Sequence, residues 1–404
     1  MESEVQIGTV LMLIAAVVAM LCRRLRLPYS VGLFLAGILL AFLPFVPRIA
    51  LSKELIFTAL LPPLLFQAAF DLHWGQVRRN LPVIALLATV GVLLSAGVTA
   101  AGMHFLLRWQ WIGALAFGVL IAATDPVSVI AIFKEAKAHG RLLVLIESES
   151  LLNDGTAAVA FSLVLAFAQG GQPTPTALSA LFILLKTVGG GMLCGIAAGY
   201  GALLLMGRTD DHLVEVTFTT IAAFGSFLLA EDLGLSGVLA TIMAGLVMGN
   251  CQSPRVLTQR GKDTIEAFWE YAAFVANSLV FLLIGMHEAS QNFMAIWLPA
   301  LAAIAVVLLG RAVAIYPLCA LFSRSQLRVP LKQQHTLFWG GLRGALALAL
   351  ALGLPAGFPL RDEIINVSFA VVAFSIFIQG LTMAPFLRGM GEISRASDPV
   401  ATGA

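Results

Sequence analysis

Three short stretches hold most of the side chains that could do chemistry: Ala122-Ala123-Thr124-Asp125-Pro126, the run ESESLLND from Glu147 to Asp154, and Gly340-Gly341-Leu342-Arg343-Gly344. The middle stretch reads as helix. Ser150 and Asp154 then share one face as i,i+4 neighbours, and Glu149 and Asn153 share the face about 100° round. The first face can offer a hydroxyl and a carboxylate to a cation. The second can offer a carboxylate and an amide to a buried arginine, and Arg343 and Arg311 are the arginines at a suitable depth. In the first stretch Pro126 lacks an N–H and disfavours helix at Asp125, so the helix should break there. Such a break exposes backbone carbonyls and leaves Asp125 to cap the following half-helix. The glycines of the third stretch permit close backbone approach and a matching break. Asp154, Ser150, Thr124 and Asp125 supply the hard oxygen ligands that a small monovalent cation takes. A partly desolvated carboxylate favours its neutral form, so it can hold a proton or a cation in turn. A carboxylate loaded with a cation on one side and a proton on the other couples two opposing fluxes.

These residues must be positioned by membrane helices. Of 404 residues, 59% are apolar and only 11% charged, and the mean hydropathy is +0.94, far from the composition of a soluble domain. Apolar runs bounded by charges, Pro and Gly give about 13 spans, near 5–22, 28–46, 55–71, 81–107, 111–133, 142–169, 175–207, 212–231, 234–250, 264–286, 292–322, 331–353 and 364–387. Pro62-Pro63, Asp125-Pro126 and Gly340-Gly341 interrupt three of them. Asp154 lies about 12 residues into its span, roughly 18 Å at ~1.5 Å per residue, and Asp125 and Arg343 come to a similar depth. All three should meet near the bilayer midplane, where a charge is costly and its retention points to function.

The basic residues orient the chain. Loops after odd-numbered spans, with the C-terminal tail, hold 17 of the 24 Lys and Arg, whereas the opposite side holds Arg48, Lys53, Arg108 and Arg361. By the positive-inside rule the N-terminus is outside and the C-terminus cytoplasmic. The start, MESEV, has no basic residue before its apolar run, so it should be retained and not cleaved as a signal peptide. Leu35-Ala36-Gly37-Ile38-Leu39 and Met243-Ala244-Gly245-Leu246-Val247 echo one another seven spans apart, which runs the motif in opposite directions through the bilayer, as an inverted repeat requires.

Several classes are disfavoured. The net charge of +2 leaves no excess to attract nucleic acid, and the scattered Cys22, Cys194, Cys251 and Cys319 form neither a disulfide framework nor a zinc motif. No phosphate-binding loop is present, so transport should draw on ion gradients; no cofactor is expected. A channel should show a continuous polar seam, whereas the acids here concentrate in one knot. An intramembrane hydrolase would need a midplane histidine or paired aspartates, and every histidine lies near a span end. His139 and His335 are expected as solvated loop residues. Lys186, Glu215, Glu266, Glu270 and Arg311 are expected as helix-packing or interfacial charges.

At ATDP (Ala123 to Pro126), ESLLND (Glu149 to Asp154) and GLRG (Gly341 to Gly344) the chain resembles the NhaP/NHE branch of the monovalent cation/proton antiporters, and the likeness covers essentially its whole length. The resemblance implies an all-α membrane protein of about 13 helices with crossing broken helices and an inverted repeat. It also implies a homodimer in the plasma membrane, surrounded by lipid, with a six-helix core that moves elevator-fashion. The dimerisation scaffold would then comprise 1–75 and 173–290 and the transport core 76–172 and 291–390, followed by a short cytoplasmic tail at 391–404. On this likeness Asp154 binds the cation and the proton, Ser150, Asn153 and the Thr124-Asp125 break complete the site, and Glu149 pairs with Arg343. Asn153-Asp154, in place of two aspartates, resembles the electroneutral type that exchanges one sodium, or lithium, for one proton. A potassium/proton exchanger is the alternative that these side chains leave open. Gln67 stands where many relatives carry an acid; its amide can still offer an oxygen ligand.

Overall fold

The computed structural model describes residues 2–25, 27–43, 52–125, 127–135, 140–168, 177–251, 253, 258–289 and 293–393. Among these residues the regular structure is entirely helical. Eight helices are long and apolar enough to cross a membrane, and shorter apolar helices lie between them. Large apolar side chains such as Leu13, Leu193, Leu204 and Leu301 are exposed around the outside, as expected where lipid is the solvent and each helix satisfies its own backbone.

The helices pack in two groups. The first contains α1 (Glu2–Leu25), α2 (Tyr29–Ala41), α3 (Leu61–Asp71), α9 (Ala177–Met206), α10 (His212–Asp232), α11 (Gly237–Gly249) and α12 (Gln259–Glu288), with α2 against α12, α11 against α9 and α11 against α3 as its principal contacts. Small residues permit these approaches. Gly37 of α2 faces the backbone of Leu282 and Gly285 in α12, and Gly245 of α11 faces the Phe66 carbonyl in α3.

The second group contains α4 (Trp74–Leu86), α5 (Val92–Leu107), α6 (Trp111–Leu120), α7 (Val127–Glu135), α8 (Arg141–Ala168), α13 (Phe293–Leu321), α14 (Leu331–Trp339), α15 (Ala345–Leu352), α16 (Arg361–Phe374) and α17 (Gly380–Met390). Its centre is α5 packed on α13 and on α6, with α8 alongside α4 and α6. Arg141, at the start of α8, ties this group together: its guanidinium donates to Asn80 Oδ1 on α4 and to the carbonyls of Leu327 and Arg328, each at 2.7 Å.

Two of the expected interruptions are breaks and one is not. Between α6 and α7, and between α14 and α15, the chain leaves helical geometry around Thr124-Asp125 and Gly341-Leu342; Pro126 itself lies outside the described residues, as does His139. Pro62-Pro63 instead falls in the first turn of α3, preceded by a wide π-helical turn at Leu55–Leu60. A wide turn moves the preceding carbonyls away from the proline rings, so the helix changes winding and continues. Similar turns at Leu87–Gly91 and Ser375–Gln379 join α4 to α5 and α16 to α17.

Candidate ion-binding site

The two breaks cross and bond to each other. The backbone N–H of Asp125 donates to the Leu342 carbonyl at 2.7 Å. Four half-helix ends therefore converge, with partial negative charge at the C-termini of α6 and α14 and partial positive charge at the N-termini of α7 and α15. Each kind is met by opposite charge. The Arg343 guanidinium donates to the carbonyls of Ala122 and Ala123 at 2.8 and 3.1 Å, beyond the end of α6. Arg311 donates to the Leu337 carbonyl near the end of α14 at 3.0 Å. The Asp125 carboxylate caps α7 by accepting from Val127 N–H at 2.9 Å, and it also lies against Gly344 at the start of α15.

Glu149 is paired with Arg311, which corrects the expected pairing with Arg343. Arg311 Nη1 and Nη2 reach the two carboxylate oxygens at 2.7 and 3.0 Å, and both side chains are buried. The physical reason is local geometry: Arg311 projects from continuous helix α13 toward α8, whereas Arg343 stands in non-helical backbone beside bare carbonyls. Arg343 is itself held by its backbone N–H, which donates to Ser375 Oγ at 2.9 Å; Ser375 donates in turn to Gln379 Oε1 at 2.6 Å. The π-helical turn at Ser375–Gln379 places that pair. Arg311 is thus a helix-packing charge, as expected, but with Glu149 as its partner; Ser375 and Gln379 were not anticipated, although a Ser/Gln pair four residues apart in an apolar span was the available signal.

On α8 the polar face locks the first break in place. Thr124 N–H donates to Asn153 Oδ1 at 3.1 Å, and Asn153 Nδ2 donates to Thr124 Oγ1 at 2.5 Å and to Glu149 Oε1 at 3.3 Å. Ser150 Oγ lies 2.8 Å from Thr124 Oγ1 and also donates to the Thr124 carbonyl. Ser150 and Asn153 are both buried and stand behind Thr124, outside the lining of the neighbouring cavity.

That cavity, about 330 Å³, runs between the two helix groups and is lined by Thr124, Asp125 and Asp154 from the second and by Gln67, Asp71, Glu270 and Asn277 from the first. Asp154 Oδ1 is buried and accepts no hydrogen bond among the described residues. The structure thus brings Asp154, Asp125, Thr124 and Gln67 to one cavity and places Ser150, Asn153, Glu149, Arg311 and Arg343 in its supporting wall. Oxygen donors and unbalanced negative charge at its inner end can hold a cation or a proton.

Residues 10–389 match the family model described as "Sodium/hydrogen exchanger, transmembrane". The chain belongs to the sodium/hydrogen exchanger family. Among curated members, this exchanger-family protein is 37% identical over 374 residues to the Na(+)/H(+) antiporter ApNhaP of Aphanothece halophytica, covering 91% of this chain and 70% of that one. It is 32% identical over 402 residues to the Na(+)/H(+) antiporter NhaH of Halobacillus dabanensis, covering 96% and 98% of the two chains. Its fold is similar to the solved sodium proton antiporter MjNhaP1 from Methanocaldococcus jannaschii at pH 8, with a TM-score of 0.76, 20% identity and coverage of 97% and 98%.

The remaining charged positions divide. Glu266 pairs with Lys262 at 3.7 Å on an exposed helix face. His335, expected in solvent, is half-buried and hydrogen-bonded with the Tyr316 hydroxyl at 2.8 Å. Glu215 does not form the expected packing pair: it is buried against the first turn of α12 at Gly261, and neither carboxylate oxygen has a hydrogen-bond partner among the described residues. Glu288 shares that condition at the other end of α12 and was not singled out from the sequence.

Proposed function

We propose that this protein is a secondary transporter that exchanges sodium, or lithium, for protons across the plasma membrane. One cation exchanges for one proton, and the two compete for Asp154. The observation that carries the proposal is Asp154, which lines a cavity with Asp125 and Thr124 and whose buried Oδ1 has no hydrogen-bond donor among the described residues. An unsatisfied buried carboxylate oxygen is costly unless a proton or cation arrives to occupy it. The names of the similar antiporters agree with that chemistry.

The wider architecture follows the same proposal. About 13 spans form an inverted repeat, with the N-terminus outside and the C-terminus cytoplasmic. If spans 2 and 3 are related to spans 9 and 10, the contact of α2 with α12 has its counterpart in the contact of α11 with α3, and each is made at a glycine, Gly37 and Gly245. The first helix group is the scaffold through which two copies dimerise in the lipid, and the second is the moving core. Asp71, Glu147 and Glu270, which line the cavity, lie toward the ends that the basic residues assign to the cytoplasm. The structure is therefore read as inward-facing.

The test is transport in proteoliposomes with internal pH recorded after sodium, lithium or potassium is added outside. Wild-type protein should move protons on addition of sodium, and Asp154→Asn should not. Unchanged proton movement in Asp154→Asn would overturn the assignment, and a response to potassium alone would replace sodium by potassium as the substrate.

A further inference from the structure

The scaffold places two amides, Gln67 and Asn277, and two carboxylates, Asp71 and Glu270, on the cavity that contains Asp154. Gln67 lies on α3, and its Nε2 donates to Asp71 Oδ2 at 2.6 Å, one helical turn further along. Both side chains line the cavity that contains Asp154, Asp125 and Thr124. An ionised carboxylate can only accept, so the Gln67 amide must present its NH2 to Asp71 and turn its carbonyl Oε1 elsewhere. An amide without such a partner can turn either end to a neighbour. One that offers NH2 to a cation repels it, and one that offers oxygen ligates it.

We propose that Asp71 is a positioning residue. It holds the Gln67 amide so that Oε1 faces the cavity as a neutral oxygen ligand for the cation held at Asp154. This deepens the exchange mechanism proposed above and rests on it. The two sides of the site then differ in kind. The core supplies charge through Asp154 and Asp125, and Gln67 supplies a dipole from the scaffold, whose own carboxylates Asp71 and Glu270 lie elsewhere on the cavity lining. When the core moves relative to the scaffold, the cation leaves this neutral ligand and stays with Asp154 and Asp125, so Gln67 aids capture without retaining the ion. Asp71 acts through the amide and need not touch the ion.

The experiment compares the sodium KM and kcat of full-length protein in proteoliposomes for wild type, Asp71→Asn, Asp71→Glu, Gln67→Ala and the double variant Gln67→Ala/Asp71→Asn. An asparagine at position 71 can accept or donate and so releases the amide. Asp71→Asn should raise KM by about threefold to tenfold while kcat changes less than about twofold, a loss confined to binding. Asp71→Glu, which keeps an acceptor-only partner, should stay within about twofold of wild type. In the Gln67→Ala background no amide remains to orient, so Asp71→Asn should add almost nothing, a non-additivity that marks coupled residues. An equal rise in KM in both backgrounds would show Asp71 acting as a charge at the cavity mouth and would overturn the inference. So would an unchanged KM in Asp71→Asn. Retention of kcat shows that the variants are folded. Asp154→Asn, run alongside, separates the two levels: if it is inactive while Asp71→Asn leaves KM unaltered, only the positioning role falls.

Discussion

Arg311 of α13 reaches across to grip both carboxylate oxygens of Glu149 on α8, at 2.7 and 3.0 Å. The same guanidinium donates to the Leu337 carbonyl, so one side chain joins α8, α13 and the end of α14. Glu149 in turn accepts from Asn153, which holds Thr124. The ion pair thus supports the first break through one intervening residue, although neither partner lines the cavity.

Removing one partner leaves the other charge buried. Arg311→Met and Glu149→Gln should each lower stability by about 3–5 kcal/mol, the usual cost of breaking a buried pair from one side. The double variant leaves no uncompensated charge and should recover much of that loss. Thermal unfolding in detergent checks this: two low midpoints and a higher one for the double variant are expected, and additive losses would count against coupling.

Gly344 is the place where the crossing leaves no room. A Cβ there meets the side chain of Asp125, which is bonded to Val127 N–H. Gly344→Ala should displace the carboxylate that lies at the N-termini of both α7 and α15. A stability cost of about 1–3 kcal/mol is typical of overpacking, and the sodium-dependent proton flux should fall well below wild type. Wild-type flux with an unchanged sodium KM would show that Asp125 can shift without consequence.

Some of this arrangement was legible in the sequence because rare residues in an apolar chain carry strong local signals. Asp125 before a proline and the glycines around Arg343 marked the two breaks, and the i,i+4 spacing of Glu149 with Asn153 correctly grouped them on one face of α8. The partner of Glu149 was not legible. Arg311 and Arg343 lie at comparable depth, and choosing between them depends on where tertiary packing sets α13 within reach of α8 and on the direction in which a non-helical arginine points. Nor could hydropathy show that Pro62-Pro63 would follow a π-helical turn instead of a break, because apolar content is the same in either winding. The separation of Asp154 from Ser150 was hidden for a related reason. Both lie on one helical face, yet Thr124 occupies the ground in front of the serine.

Asn153 tests the difference between a ligand and a wall residue. Its carbonyl oxygen accepts from Thr124 N–H, and its NH2 group donates to Thr124 Oγ1 and Glu149 Oε1. Asn153→Asp loses both donations and sets a second carboxylate beside Glu149. The variant should lose stability by roughly 1–3 kcal/mol, the range for unsatisfied or repelled buried polar groups. It should not become a more avid sodium binder. A lower sodium KM with an unaltered unfolding midpoint would place Asn153 in the ion's own coordination shell.

The proposed competition at Asp154 and one-for-one exchange predict the direction of the pH and voltage responses. If a proton on Asp154 excludes the cation, the sodium KM should rise as pH falls. In the limit where the site is mostly protonated it should rise about tenfold per pH unit, since each unit is a tenfold change in the competing ligand. At alkaline pH sodium binds readily but reloading with a proton becomes scarce, so flux should fall again and the profile should be bell-shaped with an optimum that moves to higher pH as sodium is reduced. If one positive charge travels each way, as proposed, clamping the membrane potential at values of either sign should leave the rate unchanged; an electrogenic cycle would instead feel about 2.3 kcal/mol per net charge per 100 mV. A rate that follows voltage would require a second charge in the cycle, and Asp125, on the same cavity wall as Asp154, would be the first residue to neutralise in search of it.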